Sequence, residues 1–242
     1  MSALLEVQSL SKRFGGIQAL QNVSFHVDRE EIVGIIGPNG AGKTTLFNVI
    51  AGAYPPDSGR VRFRGEDVTG EPAHRLCRRG VARTFQLSKP FINLTVLQTV
   101  RIGALNRVGE IKAATERAME VLDLLGLSRK RDQIGRQLTA VERKRLEVAR
   151  ALATGPALLL LDEVVAGLRP SEVREIIALV QRISASGVSV LMIEHVLEAV
   201  MRLCGRILVL NHGQVIAHGQ PRELVQDARV IEAYLGEAYA LA

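Results

Sequence analysis

The sequence contains no tryptophan, only 2 cysteines and few aromatic residues, which make up 4% of its 242 residues. Cys77 and Cys204 lie far apart along the chain, so we exclude a disulfide-stabilised scaffold and a cysteine-rich zinc module. This cysteine content is typical of a protein from a reducing compartment. The scarcity of aromatic side chains also argues against a stacking platform for single-stranded nucleic acid.

Long hydrophobic runs are missing as well. The apolar stretch at residues 157–161 is far shorter than the ~20 residues that a membrane-spanning helix needs. The opening MSALLEVQSL has no basic segment before a long apolar one, so we expect no secretory leader. The net charge is +6, but the basic residues are scattered, which favours a solvated surface over a nucleic-acid interface. We therefore expect a soluble intracellular protein that does not bind nucleic acid.

Apolar strands alternate with helical segments along most of the chain. Short strands are predicted within residues 4–36 and near residues 61–64, 157–161, 188–193, 206–210 and 214–218. Helical spacing is found after residue 45 and at residues 95–126, 139–154, 171–185 and from 195 onward. This alternation predicts an α/β fold with a mostly parallel sheet, in which only the first strands are antiparallel. The helical block at residues 87–137 interrupts the alternation, as an inserted subdomain would.

A phosphate-binding motif is complete in the sequence. GPNGAGKTT at residues 37–45 fits the pattern G-x-x-x-x-G-K-[ST], follows an apolar strand and opens a helix. Glycines let successive backbone N–H groups point at one anion, and the helix N-terminus adds partial positive charge. Lys43 is predicted to meet the β- and γ-phosphates, and the Thr44 hydroxyl to bind Mg²⁺. The predicted nucleotide-binding residues of this loop are Asn39, Gly40, Ala41, Gly42, Lys43, Thr44 and Thr45.

An acidic pair, Asp162 and Glu163, ends the apolar stretch at residues 157–161. Alone, such a pair could simply cap a following helix. Beside a phosphate-binding loop, it predicts a carboxylate that helps to hold Mg²⁺ and another that orients a water molecule.

These motifs, with others at suitable separations, resemble those of the nucleotide-binding subunits of ABC transporters over residues 4–237. The resemblance also rests on RTFQ at residues 83–86, LTAVERKRLEVARAL at 138–152 and MIEHV at 192–196. Four segments are most similar to those of ATPases from importers for branched-chain and other hydrophobic amino acids. They are RFGG (13–16), VARTFQ (81–86), AGLRP (166–170) and VIEAYLGEA (230–238). ATPases that power lipopolysaccharide extraction end similarly and stay an alternative.

The resemblance implies one ABC ATPase domain over residues 1–242, with ATP and Mg²⁺ as cofactors. Its P-loop core would comprise residues 1–86 and 138–242, including an N-terminal antiparallel β subdomain. Residues 87–137 would form the inserted helical subdomain.

The resemblance also assigns roles residue by residue. Phe14 would stack on adenine. Glu163 would be the general base or would orient the attacking water, and His195 would bond the γ-phosphate. Gln86 would touch Mg²⁺ and the attacking water, and Asp162 would hold Mg²⁺ through water. The implied catalytic residues are Glu163, His195 and Gln86, and the implied magnesium ligands are Thr44, Gln86 and Asp162.

The family's usual signature sequence, LSGGQ, is replaced here by LTAVE at residues 138–142. In the family this segment acts on the ATP of a partner subunit, so Thr139, Ala140, Val141 and Glu142 are the implied contacts. Val141 disfavours positive φ, and Glu142 places a negative charge near phosphate, so a weaker contact is one expectation. The other is that the backbone around Val141 has adjusted and the contact is intact.

Two further positions depart from the family pattern. Val164 replaces the usual proline after the acidic pair, and Arg169 takes a place that normally holds a small polar or acidic residue. Both departures affect the expected coupling between subunits more than they affect the expected binding of ATP.

The resemblance implies partners as well. These are a second ATPase, identical or paralogous, two integral-membrane permease subunits and, indirectly, an extracytoplasmic solute-binding protein. The chain would then sit peripherally on the cytoplasmic side of the inner or plasma membrane. Other hypotheses are a soluble ABC-type clamp on nucleic acid or ribosomes and a module that binds ATP without hydrolysing it.

Overall fold

The computed structural model describes residues 3–84, 91 and 93–240, with side chains through residue 234. The described strands are β1 Leu5–Phe14, β2 Ile17–Val27, β3 Ile32–Ile36, β4 Ser58–Phe63, β5 Glu66–Asp67, β6 Val81–Arg83, β7 Leu158–Asp162, β8 Ser189–Ile193, β9 Arg206–Asn211 and β10 Gln214–Gly219. The described helices are α1 Lys43–Ile50, α2 Ala73–Arg79, α3 Val96–Leu105, α4 Ile111–Leu124, α5 Ala140–Ala153, α6 Pro170–Ala185, α7 Leu197–Leu203, α8 Pro221–Leu224 and α9 Ala228–Ala240. Within these ranges, none of the helices combines the length and the apolar character needed to cross a bilayer.

The central layer is a sheet of described strands in the order β10-β9-β3-β8-β7-β6. All neighbours in it run parallel except β10, which pairs antiparallel with β9. The predicted mostly parallel sheet is therefore confirmed. Because parallel strands end at the same edge, the segments that follow β3, β8, β7 and β6 are brought close together.

The N-terminal strands form a separate antiparallel sheet with the order β2-β1-β4-β5. Leu5 is paired with Val27 on one side and with Phe63 on the other. The side chains of all three are buried, since this sheet packs one face against α1. The predicted antiparallel β subdomain is confirmed.

Two hydrophobic clusters cover the two faces of the central sheet. On β7, Leu159 and Leu161 pack into the cluster shared with α3–α7, whereas Leu158 and Leu160 pack into the cluster shared with α1 and the antiparallel sheet. Successive strand side chains point to opposite faces, so a strand covered on both faces is apolar throughout. The helices α3 and α4, inside the predicted insertion, share the first cluster and thus the main core.

The single helical stretch expected at residues 95–126 is wrong in one respect, because it is two helices, α3 and α4. The break at residues 106–110 contains Asn106 and Gly109, which favour turns over a continuous helix. The sequence analysis also missed α2, β6 and α9. α2 and β6 are only 7 and 3 residues long, too short for a clear hydrophobic period.

Candidate nucleotide-binding and hydrolysis site

The predicted site residues lie at one edge of the central sheet. The phosphate loop follows β3, Asp162 ends β7, and His195 comes shortly after β8. β6 leads toward Gln86, which lies outside the described residues. Because β3, β8, β7 and β6 are consecutive neighbours, positions far apart in sequence share this edge.

The phosphate loop has the backbone that its glycines predict. Gly40 and Gly42 adopt φ values of 74° and 100°, and Gly42 caps the N-terminus of α1. A side-chain carbon at Gly37 would lie 2.0 Å from the carbonyl oxygen of Leu210. Positive φ and close approach both require glycine, so these positions cannot change without moving the loop.

Lys43 lies inside the loop and is only 6% exposed. Its Nζ donates hydrogen bonds to the backbone oxygens of Gly37 at 2.6 Å and Pro38 at 2.8 Å. A phosphate oxygen is a stronger acceptor for an ammonium than a carbonyl, because the bond joins two charges. The geometry therefore places a cation where phosphate is predicted, with weaker partners that an anion can replace.

The other predicted loop contacts differ in exposure. Ala41 is buried, Thr45 is partly buried, and Asn39, Gly40 and Thr44 are exposed. Thr44 belongs to the first turn of α1, beside the helix N-terminus that favours anions. Its hydroxyl is thus open to a ligand, as a magnesium ligand must be.

Asp162 is held by an arginine that the sequence analysis did not single out. Arg83 Nη2 donates to Asp162 Oδ2 at 2.8 Å, and Arg83 Nη1 donates to Asn48 Oδ1 at 2.5 Å. The backbone N–H of Asp162 donates to Thr84 Oγ1 at 3.2 Å. Arg83 therefore joins the ends of β6 and β7 to α1. In the sequence, only its position in the VARTFQ segment could have indicated this role.

The residues present fit Mg²⁺. Asp162 Oδ1 is buried and has no hydrogen-bond partner within the described part of the chain. A buried carboxylate oxygen without a partner is costly unless it meets a cation or water. Oxygen atoms of this kind, with the Thr44 hydroxyl, are the donors that Mg²⁺ prefers.

Glu163 and His195, both predicted to be catalytic, are in direct contact. His195 Nε2 lies 3.1 Å from Glu163 Oε1, and the two side chains are 38% and 18% exposed. Glu163 has a φ of 50°, which is rare for a residue with a side chain. Such strain persists only where surrounding bonds enforce it, and it is concentrated at functional sites.

The altered signature begins α5 with a capping box. Thr139 is the N-cap: its Oγ1 accepts from the N–H of Glu142 at 3.4 Å, and the N–H of Thr139 donates to Glu142 Oε2 at 3.0 Å. Glu142 Oε1 also pairs with Lys130 Nζ at 2.5 Å. Partial burial acts to raise the pKa of Glu142, but the bonds from Lys130 and Thr139 outweigh it and lower that pKa.

The capping box weakens both reasons to expect a poorer contact from LTAVE, namely the missing glycines and the charge of Glu142. Ala140 and Val141 lie in the first turn of α5 and have no positive φ, so glycine is not required there. Val141 packs against the main core. The charge of Glu142 is offset by Lys130. That these residues act on a partner's ATP stays a prediction.

Phe14 ends β1 and is 42% exposed. Tyr54 meets it edge to face, with ring centroids 5.4 Å apart, and Lys12 Nζ lies 5.6 Å from the Phe14 centroid. An exposed aromatic ring on this hairpin is available for stacking, and its adenine role stays a prediction.

The two remaining departures have local explanations. Val164 is buried and belongs to the main core, so an apolar side chain fits in place of proline. Arg169 is exposed and is the N-cap of α6, where its backbone N–H donates to Glu172 Oε2 at 2.8 Å. The structure explains the backbone role of Arg169 and not its side chain.

Comparisons with protein families match this geometry. The model described as "ABC transporter" matches residues 20–166, and the model described as "Branched-chain amino acid ATP-binding cassette transporter" matches residues 214–240. The chain is 37% identical to the high-affinity branched-chain amino acid transport ATP-binding protein BraF of Pseudomonas aeruginosa, over 97% of this chain and 98% of that protein. It is 36% identical to the lipopolysaccharide export system ATP-binding protein LptB of Escherichia coli, over 99% of this chain and 100% of that protein.

Solved structures agree. The ADP conformation of MJ1267, an ATP-binding cassette of an ABC transporter, matches with a TM-score of 0.89 and 33% identity, over 98% of this chain and 100% of that chain. The dimeric bacterial ABC transporter cassette MJ0796 matches with a TM-score of 0.80 and 26% identity, over 90% of this chain and 99% of that chain.

Proposed function

Since this chain belongs to the ATP-binding subunits of ABC transporters, we propose that it hydrolyses ATP to drive the import of branched-chain amino acids. The observation that carries the proposal is the shared sheet edge. It brings together a complete phosphate loop, the carboxylates of Asp162 and Glu163, and His195. The names of the curated relatives give the substrate class, branched-chain amino acids.

Each residue of the site has a separate proposed role in phosphoryl transfer from ATP to water. The loop's backbone N–H groups and Lys43 bind the phosphates, and Glu163 accepts a proton from the attacking water or orients it. We assign to His195, whose Nε2 lies 3.1 Å from Glu163 Oε1, the roles of holding that carboxylate and meeting the γ-phosphate. Transfer of this kind depends on position and charge more than on covalent chemistry.

We further propose that Thr44 and Asp162 hold Mg²⁺, with Gln86 as a third ligand. Bound there, the ion would neutralise negative charge on the phosphates. Among the described residues, Asp162 Oδ1 has no hydrogen-bond partner, which supports this assignment.

The proposed assembly contains a second ATPase, a copy or a paralogue, whose ATP would meet Thr139, Ala140, Val141 and Glu142 of this chain. The capping box uses the N–H of Glu142, and the N–H groups of Ala140 and Val141 lie outside it at the positive N-terminal end of α5. Two permease subunits and an extracytoplasmic solute-binding protein would complete the importer. The chain would sit on the cytoplasmic side of the membrane, bound to the permeases.

Uptake in cells tests the proposal. The chromosomal copy would be replaced by Lys43→Ala, with Lys112→Ala on the exposed start of α4 as the matched control. Uptake of radiolabelled leucine, isoleucine and valine should fall to the level of a deletion strain in the first variant and stay normal in the second.

The similarity to LptB favours one alternative, extraction of lipopolysaccharide from the membrane. In that case Lys43→Ala would leave amino-acid uptake unchanged and would stop lipopolysaccharide from reaching the cell surface. That result would overturn the import proposal while leaving the ATPase assignment intact.

A further inference from the structure

Two ionisable residues outside the predicted site, one buried and one partly buried, lie next to it. Glu194 lies between β8 and His195 and is only 1% exposed. Lys144 lies in α5 and is partly buried. Charged side chains are rarely buried without a specific partner, so each needs an explanation.

Both residues bond to the backbone of the turn that carries Glu163. Glu194 Oε1 accepts the N–H of Val165 at 3.0 Å. Lys144 Nζ donates to the backbone oxygen of Glu163 at 3.0 Å. In addition, the N–H of Glu163 donates to the oxygen of Ile193 at 2.9 Å. The turn is therefore held from α5 on one side and from the end of β8 on the other.

This bonding accounts for the unusual backbone of Glu163. A non-glycine residue at a φ of 50° is strained, so surrounding contacts must enforce it. The backbone angles of Glu163 set the direction of its side chain and thus its contact with His195. Neither Lys144 nor Glu194 needs to touch ATP to affect that direction.

The charges of the two residues also influence each other. Burial raises the pKa of Glu194 to about 7, and Lys144 acts against that rise. Burial lowers the pKa of Lys144, and Glu194 and Glu163 act against that fall. Within the described residues, the second carboxylate oxygen of Glu194 has no hydrogen-bond partner.

We propose that Lys144 and Glu194 are positioning residues, which hold the turn of Glu163 so that its carboxylate points toward the attacking water. The proposal rests on the proposed role of Glu163 in hydrolysis. It predicts that loss of either bond lowers kcat and leaves ATP affinity unchanged, since the phosphate loop is not part of the turn.

The test compares variants that remove a bond with variants that keep it. Glu194→Leu removes the acceptor for Val165, whereas Glu194→Gln keeps an acceptor of the same size. Lys144→Met removes the donor, whereas Lys144→Arg keeps one. Exposed residues of α4 supply the matched controls, Glu116→Leu and Lys112→Met.

Turnover and ATP binding are measured separately, as phosphate release and as equilibrium binding of a fluorescent ATP analogue. Glu194→Leu and Lys144→Met should lower kcat by roughly 10- to 100-fold, the loss expected when a catalytic group is misplaced by about 1 Å. The Kd for nucleotide should stay within about twofold, because ground-state binding is untouched. Glu194→Gln and Lys144→Arg should recover most of the lost kcat.

A double-substitution cycle shows whether the effect passes through Glu163. In the Glu163→Gln background, Glu194→Leu should change the residual single-turnover rate by less than about twofold, since the group it positions is already gone. Multiplicative losses in the cycle, or equal falls in kcat and affinity, would overturn the proposal and indicate general damage to the fold. If Glu194→Leu does not fold, the same cycle is measured with Lys144→Met in place of Glu194→Leu.

The outcome also separates this proposal from the proposed function. Full turnover in Glu163→Gln would refute the catalytic role of Glu163 itself. Loss of turnover in Glu163→Gln together with normal kcat in both Glu194→Leu and Lys144→Met would refute only the positioning role.

Discussion

The buried carboxyl of Glu194 should make the stability of the protein depend on pH in a way that one substitution removes. Its pKa rises from 4.5 to about 7 on folding, because burial disfavours the charged form. The folded state therefore keeps this proton up to about pH 7, whereas the unfolded chain loses it near pH 4.5. As pH rises through this window, the unfolded state gains relative stability, and above about pH 7 the penalty is complete.

The size of the effect follows from the two pKa values. Each pH unit between them costs a little over about 1 kcal/mol, so the penalty is about 1 kcal/mol at pH 5.5 and about 3 kcal/mol at pH 8.5. Glu194→Gln does not titrate and keeps the acceptor for Val165. Between these pH values, its free energy of unfolding should improve relative to the native protein by about 2 kcal/mol, or roughly 4–8 °C in Tm.

Urea unfolding of both proteins at the two pH values measures this double difference. The charged and titratable groups that influence Glu194 or adjoin it are Lys144, Glu163, His195 and Cys204. They are present in both proteins, so their own titration largely cancels, and burial keeps the pKa of Cys204 at about 12, above the range tested. Glu116→Gln on exposed α4 is the control. A gap between Glu194→Gln and the native protein that does not change with pH would refute the account of Glu194.

Substitutions at three further positions test the phosphate loop and the signature. Lys43→Ala should abolish hydrolysis and weaken ATP binding roughly 10- to 150-fold in a binding titration, because charge-assisted bonds contribute about 1.5–3 kcal/mol. Gly37→Ala should lower the free energy of unfolding by about 2 kcal/mol or more in a urea titration, since its new carbon would meet the Leu210 oxygen. Glu142→Ala should lower Tm through loss of about 1–2 kcal/mol, whereas Glu142→Gln keeps the capping bond to Thr139 and should lose less. Equal Tm values for the two Glu142 variants would contradict the capping account.

The parts of the site that the sequence predicts are those encoded by adjacent residues. The phosphate loop is a contiguous motif whose glycines and lysine act on one anion, and Asp162 and Glu163 directly end an apolar strand. Strong local patterns of this kind fix the strand, the turn and the helix together. The shared sheet edge then follows from parallel pairing, which the alternation of strands and helices also predicts.

The contacts that sequence analysis missed join residues far apart in the chain. Arg83 reaches Asp162, Lys144 reaches the Glu163 backbone, and Glu194 reaches Val165, all through side chains on different elements. Periodicity marks which face of an element is buried and carries no information on such pairs. Glu194 and Lys144 were visible only as charges beside recognised motifs, and their burial became evident from the packing.

The elements of the fold were likewise predicted in part and missed in part. Long periodic elements such as α6 were predicted nearly to their ends. The break between α3 and α4 was missed because Ile111, Thr115 and Ala118 continue a helical spacing that seemed to extend the preceding helix. The offset of the Glu142 charge by Lys130 was also hidden, since it depends on how the 3-10 turn at Ser128–Lys130 packs beside α5.

Hydrolysis of ATP by the Glu163→Gln variant is the most direct test of the account, because it separates chemistry from binding at the residue assigned to the water. With Mg²⁺ and ATP in excess, phosphate release should fall by at least about 100-fold relative to the native protein, the usual contribution of a general base. The Kd for ATP should stay within about twofold, and Glu116→Gln should behave as the native protein does. Phosphate release by Glu163→Gln at the native rate would contradict the assignment of this sheet edge as the hydrolytic site.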